Sequence, residues 1–142
     1  MKLLSFKTKH VDTKLVMRSN KPMEVMFVDE GQRGQSLAFK NKVVFFVCVE
    51  KRDEKRPVTA ELATDAIRKT LQDHKSSNVL LIPFVHLTGR PASPKKAYMI
   101  IKEIENRLAT GKYKVDRFQF GWHRTLCMDI FCGREMVSFT KI

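Results

Sequence analysis

The sequence predicts a single α/β domain, one mixed β-sheet with two helices packed on it. Two short apolar runs rich in β-branched and aromatic residues, 43–49 and 79–82, are bounded by charge or by proline, as strands buried on both faces are. Each run is followed by a segment whose apolar residues recur at helical spacing. The flanking regions alternate at a period of two. The order strands, helix, strand, helix, strands is that of helices laid on a mixed sheet.

Element by element, residues 3–6 and 11–17 read as two short strands, and residues 18–40, with Pro22, Gly31 and Gly34, as an irregular connection. The run 43–49 is the first buried strand. After a charged turn, 50–56, Thr59 is placed to cap a helix that carries Ala63, Ala66, Ile67 and Leu71 on one face. The run 79–82 is the second buried strand, and Pro83, lacking an N–H, ends its pairing. The second helix takes Ser93 as N-cap and Pro94 in its first turn, buries Ala97, Ile101, Ile104 and Leu108, and stops near Gly111. Beyond it, Phe118, Phe120 and Trp122 share one parity, as do Leu126, Met128, Ile130 and Cys132. That pattern predicts antiparallel sheet with one buried face, with Gly133 turning the chain before a strand at 136–139.

Composition narrows the function. The 142 residues, 43% of them apolar, suit one domain, residues 1–142, with a real core. The longest apolar run is far short of a membrane span, and the N-terminus meets charge too soon for a signal peptide, which points to the cytosol. Cys48, Cys127 and Cys132 are odd in number and read as small buried hydrophobes. Neither they nor the scattered His10, His74, His86 and His123 have zinc-site spacing, so no metal is expected. The net charge of +12 lies in small clusters, among them Lys40 and Lys42, Arg68 and Lys69, and Lys112 and Lys114. Such an excess attracts polyanions, and nucleic acid is the usual one. There is no Gly-rich phosphate loop, nucleophile elbow or paired-carboxylate site; Glu61, Asp65, Glu103 and Glu105 read as solvated helix faces.

Three segments carry a resemblance. Val49-Glu50-Lys51-Arg52-Asp53-Glu54, Pro83-Phe84-Val85-His86-Leu87, and Phe120-Gly121 followed by an aromatic resemble the N-terminal editing domain of archaeal threonyl-tRNA synthetases. That domain is similar in fold to the D-aminoacyl-tRNA deacylases. The resemblance covers nearly the whole chain, least well at 18–40. It implies hydrolysis of serine wrongly esterified to threonine tRNA, without a metal, cofactor or covalent intermediate, by a homodimer. It implies a site built from Val47 and Val49, the turn of Pro83, Phe84, Val85 and His86, and the strand after Phe120 and Gly121. Where the family commonly has a tyrosine and a lysine, this chain has His123 and Arg124. A carboxylate of the final strand has no clear counterpart: one inserted residue brings Ser138 there, with Glu135 nearby. Lys7 lies near the pocket by the same analogy, though a surface lysine is the preferred reading. These departures favour a mechanism carried by backbone groups and the tRNA's terminal ribose hydroxyl.

Ester hydrolysis needs a positioned water, help with its proton and donors for the oxyanion. The proline at 83 is expected to leave the N–H groups of Phe84, Val85 and His86 unpaired and turned outward, as such donors. His86 is a candidate for proton transfer or for bracing this turn. His123 is a candidate contact to the terminal adenosine, and Arg124 suits a phosphate or the substrate carbonyl. Trp122 is expected at the pocket rim, where it would stack on adenine, and Phe120 in the core. The chain ends inside a predicted strand and is too short for a synthetase's catalytic and anticodon-binding regions, which suits a domain cut from a synthetase as well as a separate editing chain. Two alternatives stay open: a D-aminoacyl-tRNA deacylase, and a basic tRNA-binding module without catalysis.

Overall fold

A computed structural model describes residues 1–18 and 31–142. β1 (Lys2–Arg18) organises the sheet. Its first half pairs antiparallel with β3 (Val43–Cys48) and β7 (Val137–Lys141). Its second half pairs antiparallel with β2 (Ser36–Lys40) and β6 (Trp122–Ile130). The two strands expected at 3–6 and 11–17 are thus one. The polar stretch between them does not break it, because Thr8 is buried with its hydroxyl donating to the Lys42 carbonyl at 3.0 Å. Register shifts between Thr8 and His10 and between Leu15 and Met17 absorb the change of twist.

β3 pairs parallel with β4 (Asn78–Pro83), and β4 parallel with β5 (Lys114–Arg117). Parallel neighbours need long crossovers, and α1 (Thr59–Asp73) and α2 (Pro94–Ala109) supply them. One core lies between sheet and helices: Val43, Phe45, Val47, Val79 and Leu81 meet Ala63, Ile67, Leu71, Ala97, Ile101, Ile104 and Leu108. A second lies on the other face, where Val44, Phe46, Leu80 and Ile82 meet Val11 and Phe118. Cover on both faces is why β3 and β4 carry no polar alternation. Each fully buried Leu or Ile contributes about 1.5–3 kcal/mol, so these two strands anchor whatever is built at their ends.

Several local expectations are corrected. Part of the stretch read as irregular, 18–40, is strand β2, and Arg18 closes β1; residues 19–30 lie outside the described residues. The turn at 50–56 holds a 3₁₀ turn, Lys51–Lys55, whose Asp53 is buried and accepts from the Met1 ammonium at 2.8 Å. Val58, not Thr59, is the N-cap of α1, and the buried Thr59 hydroxyl has no hydrogen-bond partner among the described residues. Ser93 does occupy the N-cap position of α2, but its side chain makes no capping bond. After α2 the chain first forms the parallel strand β5, which the sequence pattern did not indicate, and residues 118–121 leave the sheet; the antiparallel pairing expected beyond them is made by β6 and β7 with β1. The face carrying Leu126, Met128 and Ile130 is half-buried or exposed, not buried, and Cys127 and Cys132 are exposed; only Cys48 is a buried thiol. Glu105, read as solvated, is only partly exposed and pairs with Arg117 and Lys102, each at 2.9 Å. No described helix is long and apolar enough to cross a membrane.

Candidate functional site

Side-by-side parallel strands leave a crevice at their carboxyl ends, the usual place for a ligand on such sheets. Here β3 and β4 end at a cavity of about 330 Å³. Val47 and Val49 form one wall and Ala92, Pro94, Ala97 and Ile101 another. The small side chains of Ala92 and Ala97 leave the space that larger core residues would fill. Residues 83–86 and then Phe120, Gly121 and His123 complete the rim.

The turn after β4 is held mainly through its backbone. Contrary to expectation, Pro83 does not end pairing: it aligns with Val47, and the Phe84 N–H donates to the Val47 carbonyl at 3.0 Å. Phe84 is therefore not a free donor. The next two N–H groups, of Val85 and His86, have no hydrogen-bond partner among the described residues. Further on, Lys2 Nζ donates to the Leu87 carbonyl at 2.7 Å, and the Lys51 N–H to the Arg90 carbonyl at 2.9 Å. The Ala92 N–H donates to the Val49 carbonyl at 3.0 Å. Two carboxylates complete the clamp: Glu50 accepts from the Thr88 hydroxyl at 2.9 Å, and Glu54 from the Ser93 N–H at 2.6 Å. Burial pushes the Glu50 carboxyl up, but Thr88, the Met1 ammonium and Lys2 outweigh it and hold it at about 2. Lys51 and the Ser93 N–H hold Glu54 at about 2. Cys48, beside the cavity, has its thiol pushed up by burial, which argues against a thiolate nucleophile. The His86 ring is exposed and sits edge-on to Phe84 at 5.3 Å, and Phe84 in turn lies edge-on to Phe46 at 5.1 Å.

Across the cavity, the Phe118 N–H donates to the Leu81 carbonyl at 2.9 Å, and Gly121 turns the chain with a φ of +81°. A side chain there would be strained, so the glycine is required by the backbone. Phe120 both packs on the helix-side core, edge-on to Tyr98 at 5.5 Å, and faces the cavity. The model of the archaea-specific editing domain of threonyl-tRNA synthetase matches residues 1–137. The chain belongs to this editing-domain family.

Relatives agree. The chain is 34% identical over 103 residues to the threonine–tRNA ligase of Methanobrevibacter smithii, covering 71% of this chain and 16% of that protein. It is 38% identical over 81 residues to that of Methanococcus aeolicus and 36% identical over 80 residues to that of Methanocaldococcus jannaschii, covering 56% of this chain and 13% of the relative in each case. The matched stretch is thus a small part of each relative. A solved structure described as the c-Myc DNA unwinding element binding protein superposes with a TM-score of 0.71 at 9% identity, covering 100% of this chain and 99% of that one. The fold is the α/β, D-aminoacyl-tRNA deacylase-like one.

Within this editing domain, the candidate residues separate. Side chains alternate along a strand. His123 reaches the cavity, while Trp122 and Arg124 do not line it. Trp122 lies beside Gly31 and Leu15: a Cβ on Gly31 would sit 3.1 Å from Trp122 Cε2 and 2.8 Å from Leu15 Cδ1. The Arg124 guanidinium lies 3.9 Å from the Phe118 ring centroid and donates to Gln119 Oε1 at 2.6 Å and to Thr13 Oγ1 at 3.4 Å. Burial pulls it down to about 10. Ser138 also lies outside the cavity, its hydroxyl 2.6 Å from that of Ser5. Lys7 lies at the other end of the strands, where its Nζ donates to the His74 carbonyl at 3.2 Å. Sequence reasoning placed Ala97 and Ile101 in the core and did not anticipate that they, with Ala92 and Pro94, would form a cavity wall; the small residues were the available signal. Among the described residues, no group of three or more His, Cys, Asp or Glu side chains is placed to hold a metal.

Proposed function

We propose that residues 1–142 act as a proofreading hydrolase that removes L-serine from mischarged threonine tRNA in the cytosol. The observation that carries the reading is an apolar cavity whose rim offers two adjacent N–H groups, of Val85 and His86, unpaired among the described residues and next to the exposed His86 ring. In this reading the serine ester enters between Val47, Val49 and Ala97, and Phe120, Gly121 and His123 receive the terminal adenosine. Water attacks the ester carbonyl, and its oxygen accepts from the Val85 and His86 N–H groups. The terminal ribose 2′-hydroxyl orients the water. The bond to the ribose 3′-oxygen breaks, that oxygen takes up the water's proton, and free serine and tRNA leave. No metal or cofactor is assigned. Arg124, Trp122 and Ser138 act in this reading through packing rather than on the substrate. Fixed donors of this kind are worth roughly 3–4 kcal/mol each in other hydrolases.

A second sieve is chemically necessary, because threonine differs from serine by one methyl group, worth only about 1–3 kcal/mol in a binding pocket. The domain would function as a homodimer. On one sheet face, Phe139 stands opposite Leu4 and Val137 opposite Phe6, leaving Phe139 53% and Val137 44% exposed, an apolar strip suited to a second copy. The deciding experiment follows deacylation of threonine tRNA charged with serine or with threonine. Rapid loss of serine with threonine spared is expected. Equal loss of both would remove the proofreading role, and preference for D-aminoacyl esters would assign the other deacylase class.

A further inference from the structure

At the end of the strands away from the cavity, two adjoining clefts of about 300 and 330 Å³ share Lys75, Ser76 and Ser77. Lys7, Lys42, Lys75 and Lys112 line them, and no carboxylate does. Lys42 is paired with Asp116, and Lys9, next to the clefts, lies 3.9 Å from Asp129. Lys7, Lys75 and Lys112 have no carboxylate partner among the described residues. Burial and then Lys7 hold the His74 imidazole below its ordinary value, although Asp73 and Glu135 act in the opposite sense. The clefts are therefore electropositive, and ammonium groups left this way are relieved by a polyanion. Phe131 adds an aromatic surface: Lys7 and Lys9 lie 5.7 and 5.4 Å from its centroid. Phe131 is half-buried at the edge of the cleft, and cations beside an aromatic ring are what single-stranded nucleic acid uses, the cations for its backbone and the ring for a base.

The distance suits one molecule reaching both places. Val43 lines the clefts and Val47 the cavity, and four residues of strand rise about 13 Å. That is the rise of about four stacked nucleotides along one strand. We infer that these clefts are a second tRNA contact, holding phosphodiesters of the same molecule whose charged 3′ end enters the cavity, with Phe131 as a stacking surface. The inference rests on the editing reading above.

The Lys75→Gln/Lys112→Gln double variant removes two unpaired cations and leaves the Lys42–Asp116 pair intact. Binding of uncharged threonine tRNA, measured across a range of salt, should lose about two from the slope of log affinity on log salt. Affinity near 0.1 M salt should fall by roughly tenfold or more. Hydrolysis of a serine ester of adenosine alone, too short to reach the clefts, should stay within about twofold of the unaltered chain. Lys55→Gln/Lys69→Gln makes the same charge change elsewhere and should alter the slope less. An unchanged slope in the first variant, or an equal loss in the second, overturns the inference. Phe131→Ala should weaken binding at constant slope, and unchanged affinity there overturns the stacking role. If the unaltered chain hydrolyses neither charged tRNA nor the adenosine ester, the editing reading fails, while the binding comparison still decides whether the clefts hold RNA.

Discussion

Residues 83–93 and 118–124 border the same cavity and are fixed by different means. The first is tied through its backbone to β3 and to the turn after it, by N–H and carbonyl groups and by the carboxylates of Glu50 and Glu54. What it shows the cavity is largely main chain. The second is fixed by rings and a cation: Phe118 in the core beneath Arg124, Phe120 against Tyr98, and Gly121 at a positive φ. What it shows the cavity is the Phe120 ring, the Gly121 turn and, from β6, the His123 side chain. The difference teaches that chemically expressive side chains are a poor guide to what lines this cavity, and on the proposed reading to the reacting groups. Arg124 and Trp122 are turned aside by alternation, while Val85, chemically inert as a side chain, offers an N–H.

The sharpest break of this comparison lies in the substrate. If main chain and ribose carry the chemistry, removing the terminal 2′-hydroxyl from a 3′-charged tRNA should slow hydrolysis by roughly 100- to 1,000-fold, more than any side-chain loss from 118–124. A deoxy substrate that turns over normally would move the chemistry to a side chain. Next in size is Gly121→Val. A β-branched residue at that φ should cost about 1–3 kcal/mol in denaturant unfolding and lower turnover with it. Arg124→Ala should cost about 1–2 kcal/mol through the lost ring contact and hydrogen bonds, yet leave turnover of the folded fraction within about twofold. His123→Ala should do the reverse, with stability nearly unchanged and kcat/KM lowered by less than about tenfold.

The smallest effect at neutral pH separates the two segments by acid. Glu50 and Glu54 have folded pKa values of about 2, below the ordinary 4.5. Their clamp is therefore fully present above pH 4.5 and is lost as pH falls through about 2. Amide exchange at 84–93, corrected for its intrinsic pH dependence, should lose protection across that window before exchange at 118–124 does. Equal loss in both would show that the carboxylates do not hold the first segment separately.

The sequence by itself determined the two buried strands, the buried faces of both helices and the segments that meet at the cavity. The strands and helix faces rest on local periodicity and burial, which act over a few residues, while the meeting of the three cavity segments was an implication of the family resemblance. Ala97, Ile101, Ile104 and Leu108 lie on the face that spacing assigned to them. Tertiary structure decided what depends on partners distant in the chain. Residues 7–10 stay in one strand because Thr8 meets Lys42. The Phe84 N–H is occupied because β3 extends far enough to receive it at Val47, leaving the donors one residue further along. Gly121 sets the phase in which β6 begins, so His123 faces the cavity and Arg124 faces Phe118. Residue types can be read one at a time, but pairing and phase exist only once the sheet has closed around them.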